Sequence, residues 1–176
     1  MLFLFIISFI IVQRLVELVI AKDNERWMRS QGAYEVGAGH YPWMVAMHSA
    51  FFFTLIMEVI LFNRPLSLVW PLFLGLFIVT QVLRIWCLAS LGKFWNTKII
   101  ILPGANVVRK GPYKWIRHPN YLIVTTELLI LPLFFSAYWT AIVFGVLNAW
   151  MLSVRIPAEE KALKEATNYE VKFSLK

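Results

Sequence analysis

The residue types best suited to chemistry fall in two short stretches of the 176-residue chain. The first is Gly111-Pro112-Tyr113-Lys114-Trp115-Ile116-Arg117-His118-Pro119-Asn120-Tyr121, directly before an apolar run. Proline fits a first helical turn because the N–H groups there have no intrahelical partner. Pro119 therefore marks a helix start, with His118 and Asn120 on either side of it. Free amides and the helix dipole at such an end favour a carboxylate or phosphate. Just upstream, residues 102–108 (LPGANVV) read as a turn and a short extended piece, whose backbone groups suit a flat heterocycle. The plainer alternative is an interfacial loop anchored in headgroups by Trp95, Tyr113 and Trp115.

The second stretch is Arg155-Ile156-Pro157-Ala158-Glu159-Glu160. Arg155 and Glu159 are four apart and share a face on a continuing helix. Pro157 is placed to break that turn and aim them differently. A guanidinium matches a carboxylate through two parallel N–H groups, and Glu159 suits a cationic ligand. The bland alternative is a helix end with surface ion pairs, which contribute little.

Five more charged residues sit inside apolar runs: Arg14, Glu17, Glu58, Arg84 and Glu127. A charge at the centre of a span costs about 2.5–3.5 kcal/mol on insertion scales, so each needs a partner or a purpose. Arg14 and Glu17, three apart, can pair on one helix face. Glu58 is close enough to its helix end to reach the interface. Arg84 and Glu127 either neutralise one another between helices or line a polar pocket.

The elements that must hold these residues follow from composition. The chain is 60% hydrophobic and 15% charged, with mean hydropathy +0.67. Soluble domains run nearer 45–50% and about 25%. That excludes a soluble Rossmann-type enzyme, a disulfide-stapled secreted module and a disordered tail. The expected fold is an all-α integral membrane domain of about five transmembrane helices, over residues 1–21, 42–62, 65–91, 121–135 and 138–154. A span needs roughly 20 residues, and the fourth is short and interrupted by Pro132. The first reads as a retained helix rather than a signal peptide. Residues 92–121 and 155–165 are the expected cofactor-binding part. The charged tail from Pro157 reads as an amphipathic helix through Asn168, lying on headgroups.

Fourteen of the 17 Lys and Arg residues fall on one side of this arrangement, in 22–41, 92–117 and the tail. The positive-inside rule then puts the N-terminus outside, and the long connection and C-terminus in the cytoplasm. The expected location is a bacterial plasma membrane. The net charge of +7 is explained by topology, so no nucleic-acid partner is expected. Cys87, the single cysteine, reads as a packing residue, and no metal site is expected.

Together the two stretches resemble the isoprenylcysteine carboxyl methyltransferase family. Its G-x-Y-x-x-x-R-H-P-x-Y pattern stands here as Gly111, Tyr113 and Arg117-His118-Pro119-Asn120-Tyr121, and its R-x-x-x-E-E pattern as Arg155 and Glu159-Glu160. Gln13-Arg14-Leu15-Val16-Glu17-Leu18, Asn24-Glu25-Arg26-Trp27 and Gly37-Ala38-Gly39-His40-Tyr41-Pro42 resemble a bacterial subgroup. Members of that subgroup are associated with type III polyketide synthases, and some are alkylpyrone O-methyltransferases. Leu122-Ile123-Val124 departs from the family, many of whose members have glycine soon after the tyrosine.

The resemblance implies S-adenosyl-L-methionine on the cytoplasmic side. Ala105, Asn106, Val107 and Val108 through their backbone, with Tyr113, His118, Pro119, Asn120 and Tyr121, would line its pocket. Lys98 matches a further contacting position. Glu159 would meet the cofactor's amino-acid end, and Arg155 would hold the acceptor oxygen as the catalytic residue. Gln13, Arg14, Glu17 and His40 are candidate acceptor-side residues. The implied reaction moves a methyl group to a carboxylate or acidic enol of a lipophilic acceptor, such as a prenylcysteine or alkylpyrone, which enters between helices. Such an oxygen is already ionised, so positioning and a dry site suffice. Rival readings are a phospholipid N-methyltransferase, which leaves Arg155 without a task, a non-enzymatic transporter subunit, and a reductase using NADPH.

Overall fold

Backbone amides cannot be left unpaired in hydrocarbon, and this chain answers that constraint with helices. The computed structural model describes residues 1–174. The helices are α1 (Leu2–Ser30), α2 (Tyr41–Leu61), α3 (Trp70–Leu91), α4 (Pro119–Phe134), α5 (Tyr138–Ala166) and the short α6 (Tyr169–Ser174). Four of these, α1, α2, α3 and α5, are long and apolar enough to cross a membrane. The fifth apolar helix, α4, has 16 residues. At about 1.5 Å per residue it is shorter than a bilayer core. It packs between α3 and α5. This is an all-α integral membrane protein.

The expected spans are present, with shifted limits. Helix α1 continues nine residues past the first apolar run, because its polar last third packs on the chain that follows α3. Asn24 Nδ2 donates to the carbonyls of Gly92 (3.2 Å) and Trp95 (2.7 Å), and Asn96 Nδ2 donates to Ala21 (3.2 Å). Helix α3 begins at Trp70 rather than at 65, and the fourth span starts two residues early, at Pro119. Helix α5 runs through Pro157 to Ala166, so the expected break does not occur. The tail helix is correspondingly the end of α5, followed by α6. A small antiparallel ribbon is a feature the sequence reading did not contain. In it β1 (Tyr34–Val36) pairs with β2 (Ile99–Ile101), with Glu35 opposite Ile100. Strand β2 is buried on both faces, and Ile99 and Ile101 pack against Ala162 of α5. The ribbon thus braces the polar end of α5.

Apolar side chains divide by face. Ile7, Ile10, Phe51, Leu55, Leu128, Leu131, Phe134 and Phe144 form the core between α1, α2, α4 and α5. The outer faces carry exposed Phe5, Phe9 and Val12 on α1, and Ile142, Val146 and Trp150 on α5. In water that surface would be a liability; in lipid it is the interface. Cys87 is fully buried with Tyr113 and Ile123.

The membrane-depth charges are joined rather than scattered. Arg14 donates to Glu17 on its own helix and, at 2.7 Å, to Glu127 of α4. Arg84 of α3 holds Glu127 through Nε (3.1 Å) and Nη2, and reaches Glu17 at 3.3 Å. Gln81 adds a bond to Glu127 at 2.7 Å, and Gln13 one to Glu17 at 3.3 Å. Two cations and two anions cancel formally. This knot ties α1, α3 and α4 together at membrane depth, along the wall of the cavity described below.

Glu58 has a different role from the one its position suggests. It is buried, and accepts from the backbone amides of Trp139 (3.3 Å) and Thr140 (2.8 Å), the Thr140 hydroxyl (2.7 Å) and Arg64 (3.0 Å). It therefore caps the N-terminus of α5 from across the bundle, where otherwise orphaned amides and the dipole favour an anion.

Removing one member of a buried ion cluster strands the others, a loss on the order of 3–5 kcal/mol. Glu127→Ala, which leaves two guanidiniums with only Glu17, is expected to destabilise the protein by that amount and to lower its unfolding temperature in detergent. Arg14→Ala should cost less, because Arg84 still balances Glu127. An unchanged midpoint for Glu127→Ala would show that the knot is not a structural element.

Candidate functional site

Both chemistry-bearing stretches open onto one cavity of about 510 Å³, which runs along the inner face of α5. That face is set by helical spacing: Asn148, Met151, Leu152, Arg155 and Glu159 line the cavity at steps of three and four. At one end the lining reaches exposed Asn106 and Arg117, on the side of the long polar connection. At the other it includes Leu15 and Leu18 of α1 and Val45 of α2, which are also exposed on the outer surface. The cavity therefore connects a polar mouth with the lipid-facing surface between α1 and α2.

At the polar end, the two stretches interlock. The Tyr121 hydroxyl donates to Glu159 Oε2 and accepts from Arg155 Nε at 2.7 Å. Arg155 Nη2 donates to the Thr97 carbonyl at 2.5 Å, and its guanidinium lies 5.7 Å from the Tyr121 ring centre. Arg155 is only 3% exposed, yet among the described residues no carboxylate pairs with it. The contrast with Arg14 and Arg84 is sharp. A buried charge normally has an ionic partner, so this one is left available to a ligand.

His118, immediately before α4, stacks on Tyr121 with ring centres 5.4 Å apart. Its Nε2 lies 3.0 Å from Glu160 Oε1, and Nδ1 lies 3.9 Å from Glu159 Oε2. Tyr169 of α6 donates to the same Glu160 oxygen at 3.3 Å. Burial alone would raise the Glu160 carboxyl; the His118 and Tyr169 bonds and the Arg117 charge outweigh it and hold the group below its usual range. The Tyr169 phenol is pushed up to about 12 by burial and by the Glu160 charge.

Two local devices shape the pocket wall. Gly111 has φ +54°, and a Cβ there would lie 2.1 Å from Ser90 Oγ and 2.9 Å from Trp86 Nε1. Only glycine lets the chain turn against α3 and place Tyr113 inward. Asn168 secures the 105–108 segment by accepting from Val107 N–H (2.9 Å) and donating to Asn106 Oδ1 (2.8 Å). Between them, Asn120 Oδ1 lines the cavity, buried and, among the described residues, without a hydrogen-bond partner, while the Tyr113 hydroxyl lies beside the Cys87 thiol. Buried polar atoms are nearly always paired, so the Asn120 oxygen suits the polar edge of a bound cofactor.

Of the residues singled out in the sequence, Ala105, Asn106, Val107, Val108, Tyr113, His118, Asn120, Tyr121, Arg155 and Glu159 line this cavity, as do Lys98, Arg14 and Glu17. Lys98 is already held by Glu25 (3.2 Å) and Glu35 (3.3 Å), which tie β1 to α1. Three residues stand outside the lining. Pro119 is buried behind it, Gln13 is turned to Glu17, and the His40 ring lies over Gly37, where it fills the space of an absent Cβ. Burial and the Arg155 charge lower the His40 pKa.

Among the lining residues that the sequence did not single out are His48, Thr97, Asn148 and Tyr169. His48 and Asn148 had a visible signal, since each is a polar residue within a span. His48 falls on the α2 face of Met44, Phe51 and Phe52. Thr97 acts through its carbonyl, and Tyr169 depends on the turn after Ala166; neither has a local signature.

The model of the isoprenylcysteine carboxyl methyltransferase (ICMT) family matches residues 73–165, which contain both stretches. The chain is 47% identical to the uncharacterized protein YpbQ of Bacillus subtilis (strain 168) over 170 residues, covering 97% of this chain and 99% of that protein. It is 31% identical to an uncharacterized protein of Haemophilus influenzae over 155 residues, 88% of this chain and 90% of the relative. No solved structure matches. With a match over more than half its length, centred on the helices that build the cavity, the chain belongs to the isoprenylcysteine carboxyl methyltransferase family of membrane methyltransferases.

Proposed function

We propose that this protein transfers a methyl group from S-adenosylmethionine to an anionic oxygen on a lipophilic acceptor drawn from the bilayer. The observation that carries the reading is Arg155, a buried guanidinium with no carboxylate partner among the described residues, facing a cavity with one polar and one lipid-facing end. Tyr113, Asn120 and the backbone of residues 105–108 would hold the cofactor's flat part, with His118 and Tyr121. Glu159 would meet its amino-acid end. When bound, the cofactor supplies an electrophilic methyl on a sulfonium.

The remaining work belongs to the chain. Arg155 has two of its N–H groups committed, to Tyr121 and Thr97, so its orientation is fixed, and its other N–H groups have no partner among the described residues. It can aim an oxyanion while leaving lone pairs for the reaction. Met151, Leu152 and Val124 keep that region dry, which sharpens electrostatic guidance and strips water from the nucleophile. No proton need be removed from a carboxylate or acidic enol at neutral pH, so no general base is required.

The acceptor class is a prenylcysteine-type carboxylate or an alkylpyrone-type enolate. The concentration of Lys and Arg on the polar-mouth side supports a cytoplasmic cofactor entrance in a bacterial plasma membrane. Arg14 and Glu17 sit where an acceptor tail would pass. Their saturation by Arg84 and Glu127 favours a structural contribution over a conduction pathway.

The test is transfer of labelled methyl from S-adenosylmethionine to a panel of long-chain carboxylates and 6-alkyl-4-hydroxypyrones. Arg155→Ala is expected to lower turnover by about 100-fold, as for loss of a charge-orienting group, with cofactor affinity changed by less than about threefold, a fraction of a hydrogen bond. Equal loss of turnover and cofactor binding would contradict this division of roles.

A second expectation concerns acid stability. Glu160 is held below its unfolded value near 4.3, so its contribution is complete above that pH and is lost as pH falls through the folded value. As pH falls from about 5 to about 3, through and below the unfolded value, the thermal midpoint of wild type should fall more than that of Glu160→Gln. Parallel curves would show that the His118–Glu160–Tyr169 cluster adds nothing.

A further inference from the structure

The cavity has polar features that methyl transfer does not use. They lie on its lipid-side half, away from Glu159, and they share one property: they accept hydrogen bonds. His48 lines the cavity from α2, and its Nδ1 lies 2.8 Å from the Met44 carbonyl one turn back. A carbonyl only accepts, so Nδ1 carries the proton and Nε2 is the acceptor in the neutral ring. Among the described residues Nε2 has no protein partner.

Asn148 presents the same polarity by a separate route. The Thr125 hydroxyl donates to the Tyr121 carbonyl at 2.8 Å. Its proton is therefore spent, and it can only accept from Asn148, 2.9 Å away. That orients the Asn148 amide with its NH2 group toward Thr125, and leaves Oδ1 with no partner among the described residues. Asn148 lies on the same α5 face as Arg155, seven residues toward the lipid side, about 10 Å along the helix.

From this arrangement we infer that the acceptor carries, besides its anionic oxygen, a hydrogen-bond-donating group such as a hydroxyl, received by His48 Nε2 and Asn148 Oδ1. The inference rests on the oxyanion reading of Arg155 and narrows it to hydroxylated lipophilic acids or enols. In this site Arg155 selects the charge, and His48 and Asn148 select the donor. A plain acyl chain would leave two acceptors unsatisfied in an apolar wall, and such unpaired groups are what allow a site to reject an analogue lacking a hydroxyl. His48 and Asn148 are thus specificity-determining residues that do not touch the transferred methyl.

The experiment measures binding of stearate, and of stearates with one hydroxyl at carbon 2, 3, 10 or 12, to the full-length protein in detergent with S-adenosylhomocysteine present. At least one hydroxylated acid should bind about three- to tenfold more tightly than stearate, the range of one net hydrogen bond. His48→Phe or Asn148→Leu should remove that preference without weakening stearate binding, and retained stearate binding also verifies that each variant is folded. A site indifferent to all four hydroxyls would overturn the inference, as would a preference that survives both substitutions. If neither stearate nor any hydroxystearate binds, the oxyanion reading itself fails; binding of all five with equal affinity removes only the donor-selecting role.

Discussion

Four charges meeting at membrane depth set the conditions for the rest of this molecule. Arg14, Glu17, Arg84 and Glu127 come from three helices, and each is costly in hydrocarbon until the others arrive. Their mutual satisfaction means that α1, α3 and α4 can be apolar outside and still have a defined register inside. Glu58 plays a related part on the other side of the bundle, where it fixes the start of α5 through the amides of Trp139 and Thr140. Once α5 begins at a defined residue and continues unbroken past Pro157, helical spacing alone brings Asn148, Met151, Arg155 and Glu159 to one face.

The same residue type then appears in two electrostatic states. Arg14 and Arg84 have their carboxylates, and bind the structure together. Arg155 has a phenol and a carbonyl instead, which orient it without cancelling its charge. That difference separates scaffold from site, and neither burial nor residue identity would show it alone. The opposing carboxylate, Glu159, is held off Arg155 by the Tyr121 hydroxyl between them. A cation-seeking and an anion-seeking group can therefore coexist in one pocket without collapsing into an ion pair.

Much of this was legible in the sequence where the signal is local. Pro119 marked a helix start, apolar runs marked the spans, and the four-residue step from Arg155 to Glu159 put them on one face. Of the long-range pairings, only Arg84 with Glu127 was foreshadowed, as one of two readings of those charges. Arg14 was seen with Glu17, but the convergence of both on Arg84 and Glu127 depends on how three helices pack. Glu58 looked like a residue reaching the interface because nothing local links position 58 to the amides of 139 and 140. The β1–β2 ribbon was hidden because three-residue strands carry almost no periodicity. Pro157 was overestimated as a breaker: β2 packs on Ala158 and Ala162, and the Gly104 amide bonds to the Ala166 carbonyl, which brace the helix beyond it. His40 lies outside the cavity lining, with its ring over Gly37 and within reach of the Arg155 charge.

The central claim is that the polar mouth of this cavity is a methyl-donor site built from His118, Tyr121, Glu159 and the 105–108 segment. Calorimetric titration of S-adenosylmethionine into the detergent-purified protein tests it most directly, with Glu159→Gln, His118→Ala and, as a control outside the lining, Gln13→Ala. The account predicts saturable binding, weakened about tenfold or more by the first two changes, as for loss of a charged hydrogen bond, and unaltered by the third. Absence of binding at millimolar cofactor, in protein with a cooperative thermal transition, would contradict it.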